Sequence, residues 1–195
     1  MNITAKQVKD LRDATGVSMM ECKKALVEAG GDEEKAKEIL RKKGIAKADK
    51  RSGKETGEGY VGSYVHTTGK LAAMVALSCE TDFVARSDDF RNLANEIAMQ
   101  VAAMNPKYIS PDDADESELD KEKDIIAEQL KKEGKPDNIV EKIMEGKIKK
   151  FKEEGALLKQ KSVKNSELTI EEVIKEGITK MGENITVKRI ERIEM

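Results

Sequence analysis

The sequence predicts an α+β fold. Apolar residues recur at helical spacing behind cap signals over residues 4 to 44, the period changes to two between Tyr60 and Cys79, and helical spacing then returns. The expected architecture is an N-terminal three-helix module (1–44), a linker (45–58) and a larger domain (59–195). In that domain, helices pack on a small antiparallel sheet and a helical hairpin, about 117–152, protrudes.

Thr4-Ala5-Lys6-Gln7 is a capping-box pattern followed by Val8 and Leu11, and Ser18-Met19-Met20-Glu21 is a second. The second helix carries Met19, Cys22, Leu26 and Ala29 at helical spacing and stops at Gly30-Gly31. Asp32 caps a third helix with Ala36, Ile39 and Leu40 on one face, and Gly44 supplies its stop. From Ile45 to Gly57 apolar side chains nearly vanish while Lys47, Lys50, Arg51 and Lys54 cluster, which reads as a solvated, flexible linker.

Val61 and Val65 share one face of a first strand; Ala73, Val75, Leu77 and Cys79 share one face of a second, with Thr67, Thr68 and Gly69 as the turn. A helix opening on Ser87, Asp88 and Asp89 carries the stripe Phe90, Leu93, Ala94, Ile97, Ala98 and Val101, and Asn105-Pro106 ends it. Helices are expected from about Ser117 to Glu133 and from about Asp137 to Phe151, broken apart by Gly134 and Pro136. Thr169 caps a further helix through Lys180. In the tail, Ile185 and Val187 alternate before a phase shift to Ile190, the pattern of a strand that closes the sheet.

Composition narrows function. The 36 Lys+Arg against 38 Asp+Glu leave a formal net charge of -2, so the chain as a whole is not built to coat a phosphate backbone or an anionic membrane. Aromatic residues are 3% with no Trp, too few for base-stacking platforms. No run of about 18 apolar residues occurs, and the charged start, with Lys6, Lys9 and Asp10, does not read as a signal peptide, so a cytoplasmic protein is expected. With two cysteines, Cys22 and Cys79, and a single histidine, His66, no metal cluster, cofactor site or Cys-His-acid set is spelled out; the thiols read as structural and His66 as an exposed strand residue. Neither a GxxxxGK[ST] nor a GxGxxG phosphate loop is present, and the many carboxylate pairs are what 38 acidic residues produce by composition. No catalytic residues are expected.

The segment Thr81-Asp82-Phe83-Val84-Ala85-Arg86 interrupts the pattern where strand gives way to helix. Phe83 there reads either as a core side chain or as an exposed aromatic wedge of the kind that anchors interfaces, and composition does not choose.

Two long runs resemble the signatures of the translation elongation factor Ts family: Leu11-Arg12-Asp13-Ala14-Thr15-Gly16-Val17-Ser18-Met19-Met20-Glu21-Cys22-Lys23-Lys24-Ala25-Leu26, and Cys79-Glu80-Thr81-Asp82-Phe83-Val84-Ala85-Arg86. Shorter stretches follow in order: Gly44-Ile45-Ala46-Lys47-Ala48, Gly62-Ser63-Tyr64-Val65-His66, Pro106-Lys107-Tyr108-Ile109, Gly146-Lys147-Ile148-Lys149-Lys150-Phe151 and Gly182-Glu183-Asn184-Ile185. At Ala76 and Ser78 the sequence departs from the family pattern, which usually has Glu and Asn there and leaves the local hydrogen bonding open.

The resemblance implies a guanine-nucleotide exchange factor for elongation factor Tu. Thr81, Asp82, Phe83 and Val84 would enter the GTPase near its magnesium site, with Asp82 helping to fix the wedge. Met19 and Met20 would be contact residues of an N-terminal module similar to ubiquitin-associated domains. It further implies no cofactor, no direct nucleic-acid or membrane binding, and a homodimer of the short form. The alternative is a non-catalytic adaptor that uses the N-terminal module alone.

Overall fold

The computed structural model describes residues 3–132 and 137–195. It is an α+β protein whose three-stranded antiparallel sheet has the order β1(Glu58–Val65), β2(Leu71–Cys79), β3(Thr186–Glu194), so the last strand joins the sheet as expected, and does so beside β2. Two compact units are assembled from alternating segments: Met1–Val61 with Leu77–Ala94 and Glu172–Thr186, and Gly62–Ala76 with Asn95–Glu171 and Val187–Met195.

The first unit begins with α1(Ala5–Thr15), α2(Met19–Glu28) and α3(Glu33–Arg51). The Thr4 hydroxyl accepts from the Gln7 amide while the Gln7 side chain accepts from the Thr4 amide, and Gly16 ends α1 at φ 68°. Ser18 and Asp32 cap α2 and α3 by accepting from the amides of Glu21 and Lys35. Val8, Leu11, Cys22, Ala25, Leu26, Ala36 and Leu40 form the buried core of these helices. Met19, aligned with that stripe in sequence, stays out of it.

The third helix does not stop at Gly44. It continues to Arg51, so residues 45–51 of the expected linker are helical and Lys47, Lys50 and Arg51 lie on a helix. The reason lies in α8(Ile170–Met181): a Cβ at Gly44 would stand 2.7 Å from the Thr179 hydroxyl, so this glycine permits close approach of a helix rather than ending one. Burial of Ala48 and ion pairs from α3 to Glu172 and Lys175, through Arg41 (2.6 Å) and Asp49 (2.9 Å), offset the cost of about 1 kcal/mol for a glycine inside a helix. The short loop after Arg51 is tied down as well, since the Asn184 side-chain Nδ2 donates to the carbonyls of Lys54 (2.7 Å) and Ser52 (3.4 Å).

The rest of this unit's core comes from Leu77, Cys79, Phe90, Leu93, Ala94, Ile174, Ile178 and Ile185. The departure at Ser78 is locally satisfied: its buried hydroxyl bonds with those of Thr56 (3.0 Å) and Thr186 (2.8 Å) and donates to the Thr186 carbonyl (3.2 Å).

In the second unit the β1–β2 turn closes as the sequence predicts, with the His66 amide donating to Leu71, the Gly69 amide to His66, and Gly69 at φ 68°. His66 is exposed, and its ring nitrogen pairs with the Tyr64 hydroxyl at 3.1 Å. Val61 and Val65 do share a strand face, and both are exposed; Gly62 is buried on the alternate face.

Ile97, Ala98, Val101 and Ala102 of α5(Asp88–Met104) are buried. The buried Gln100 accepts from the Val163 amide (2.8 Å) and donates to the Lys161 carbonyl (3.0 Å). The two helices of the expected hairpin are α6(Glu116–Lys132) and α7(Asp137–Gly155), the latter running past Phe151. The Gly134–Pro136 break lies outside the described residues. Leu119, Ile126 and Leu130 bury one stripe of α6, while from Val140 onward α7 has no fully buried side chain. In β3 the phase shift is visible as half-buried Val187, Ile190 and Arg192 beside exposed Arg189 and Ile193.

Candidate functional site

The corner after β2 is where sequence pattern and exposure disagree most. Thr81 caps α4(Asp82–Arg86), a single five-residue turn, by accepting from the Val84 amide at 3.5 Å. Ala85 is buried beneath it and Val84 is half-buried. Phe83 is 83% exposed, which settles the alternative left open by composition in favour of an outward ring. A large aromatic presented to solvent on a capped turn is the type of side chain that anchors interfaces.

Asp82 forms an ion pair with Arg86 at 3.0 Å, one turn on. The bonds that fix the corner come instead from the far end of the sequence. The Glu183 carboxylate accepts from the amides of Glu80 (3.1 Å) and Thr81 (3.0 Å) and from the Thr81 hydroxyl (2.6 Å). In return, the Glu80 carboxylate accepts from the Asn184 amide (2.6 Å) and from the Arg51 guanidinium (2.7 Å). Two carboxylates thus clasp two backbone segments, Glu183 taking two amides of one and Glu80 taking one amide of the other. Sequence reasoning assigned none of Arg51, Glu80, Glu183 or Asn184 a role. Glu80, Glu183 and Asn184 fall in the family-like stretches and Arg51 in the expected linker, but partners so far apart in sequence leave no local pattern.

The Asn184 amide, followed by Arg51, holds the Glu80 carboxyl below its ordinary range against the opposing effect of burial. Its folded value therefore lies below its unfolded one. The resulting stability is present above the ordinary glutamate value and is lost as the pH falls through the folded value. Denaturant titrations between about pH 7 and about pH 3 are expected to show a smaller acid loss of stability in Glu80→Gln than in the wild-type chain. Cys79 is buried and its Sγ–H donates to the Thr81 carbonyl at 3.2 Å; desolvation, aided by the nearby Glu183 charge, pushes the thiol up to about 11. At neutral pH it is a protonated packing group with one weak hydrogen bond.

Met19 and Met20 occupy the first turn of α2 and are 45% and 66% exposed. The structure does not bring them into the corner. The two places are linked through α3, whose Lys47 pairs with Glu21 of α2 and whose last residue, Arg51, pairs with Glu80. Among the described residues no group of three His, Cys, Asp or Glu side chains could hold a metal ion, and no helix is long and apolar enough to cross a membrane. A depression lined by Glu21, Lys24, Lys43 and Lys47 encloses about 50 Å³, far below the roughly 300–1,000 Å³ of small-molecule sites. What the corner offers chemically is a rigid aromatic contact.

Similarity to known proteins agrees with the two signatures. A sequence model of the family described as "Elongation factor TS" matches residues 3–178. The chain is 56% identical over 187 residues to elongation factor Ts of Thermosipho melanesiensis, covering 96% of this chain and 95% of that protein. It is 51% identical over 195 residues to that of Fervidobacterium nodosum (100% and 99%), and 49% identical over 192 residues to that of a Thermoanaerobacter species (98% and 94%). With its signature runs on α2 and at the Phe83 corner, the chain belongs to the elongation factor Ts family.

Proposed function

We propose that the protein is a guanine-nucleotide exchange factor for elongation factor Tu that promotes GDP release without covalent chemistry, in the cytoplasm and during polypeptide elongation. The observation that carries the reading is the exposure of Phe83 on a corner whose backbone is fixed by charge-assisted hydrogen bonds. An exchange factor acts by linkage: it binds the nucleotide-free GTPase more tightly than the GDP-bound form, and each tenfold loosening of GDP requires about 1.4 kcal/mol of that difference. Burial of one phenylalanine ring contributes roughly 1.5–3 kcal/mol. A ring that finds its crevice only when the magnesium and switch region of the GTPase has moved therefore supplies a large share of the differential affinity.

In this reading Thr81 and Val84 frame the wedge, Asp82 braces its helical turn through Arg86, and Met19 and Met20 provide a second, adaptable contact from the N-terminal helices. The protein acts as a homodimer, so light scattering at micromolar concentration should give the mass of two chains; a single-chain mass would remove the dimer from the account. The direct test of the function is titration of the wild-type chain against nucleotide-free and GDP-loaded elongation factor Tu. The nucleotide-free form is expected to bind at least tenfold more tightly, and equal affinities would exclude exchange by linkage.

A further inference from the structure

Phe83 is so exposed that its own packing does not determine where its ring points. The direction of its Cα–Cβ bond is set by the backbone of α4 (Asp82–Arg86), a five-residue helical turn far too short to persist without anchors. Beside the bond from the Cys79 thiol to the Thr81 carbonyl, three anchors at the N-terminal side converge on one side chain. Glu183 takes the amides of Glu80 and Thr81 on one oxygen, at 3.1 and 3.0 Å, and the Thr81 hydroxyl on the other, at 2.6 Å. Because that hydroxyl spends its proton on Glu183, its oxygen is left to accept the Val84 amide, and the cap of α4 is oriented by the same carboxylate. Glu183 is in turn kept in place by its neighbour, since the Asn184 amide is bound by Glu80 at 2.6 Å and Glu80 is braced by Arg51 at 2.7 Å.

We propose that Glu183 is the positioning residue of the Phe83 wedge, holding the turn so that the Cα–Cβ bond of Phe83 is aimed at the partner in one direction. This rests on the exchange reading above and adds to it a residue outside the corner motif. A positioning role has a signature that general structural support lacks: the effect of losing Glu183 should depend on the presence of the ring it aims.

The test is a double-mutant cycle on GDP release from elongation factor Tu, using the full chain with Glu183→Gln, Phe83→Ala and both together, each checked by circular dichroism and thermal melting. Gln keeps the size of the side chain but removes the charge and one acceptor oxygen. Glu183→Gln is expected to slow stimulated release about tenfold with the fold retained, and to change little when Phe83 is already Ala. An equal fall in both backgrounds, or no fall in either, would overturn the proposal.

Should Glu183→Gln not fold, Thr81→Val and Thr81→Ser form the same cycle, with the serine hydroxyl expected to restore what the valine loses. Were the wild-type chain itself without effect on GDP release, the exchange reading would fall. The clasp would then be judged by amide hydrogen exchange of Glu80 and Thr81, where protection unchanged by Glu183→Gln would overturn it.

Discussion

Replacing Phe83 with Ala is expected to lower the stimulated rate of GDP release from elongation factor Tu by about ten- to a hundredfold while leaving the melting temperature nearly unchanged. The two halves of that expectation have one cause. The ring is 83% exposed in the free protein, so its removal deletes almost no internal packing, and exposed substitutions typically shift stability by no more than about 0.5 kcal/mol. On the proposed reading the same ring is buried in the complex with elongation factor Tu, and roughly 1.5–3 kcal/mol of transfer free energy is then at stake. A variant that melts normally but no longer accelerates release would separate interface from fold at a single side chain. A large drop in melting temperature would show that the ring belongs to the core.

Phe90→Ala should behave in the opposite way. Phe90 lies seven residues further along, is 0% exposed, and is the largest fully buried side chain among the described residues. Its truncation is expected to cost about 3–5 kcal/mol, the transfer free energy of the ring plus the cavity it leaves. Against a typical total of about 5–15 kcal/mol, that is a substantial fraction. Urea denaturation should register it as a lower midpoint with little change in slope, and any loss of exchange activity should follow the unfolded fraction.

These two phenylalanines also show how far the sequence could be read. Phe90 was legible because it heads a stripe with Leu93, Ala94, Ile97 and Val101, and a helical period fixes which side is buried. Phe83 belongs to no period. Its exposure follows from a one-turn helix whose direction is imposed by Glu183, a residue that lies near it only after folding. The same limit explains the third helix. Gly44 looks like a stop because glycine is a common one, and only the packing of Thr179 against it reveals a contact residue inside a helix that runs on to Arg51.

Caps, the strand period and the hairpin turn are local and were read from the residues. The clasp joins distant segments and was not. Val61 and Val65 fall between these cases, since alternation put them on one face but could not say that this face meets solvent.

The measurement that bears most directly on the account is the release of a fluorescent GDP analogue from elongation factor Tu at fixed Mg²⁺, with increasing amounts of the wild-type chain. Release that accelerates with concentration and reaches a plateau is the result expected of a factor that forms a ternary complex and loosens GDP within it. A release rate that stays at its spontaneous value at every concentration would contradict the exchange function and leave the exposed ring of Phe83 without the partner assigned to it.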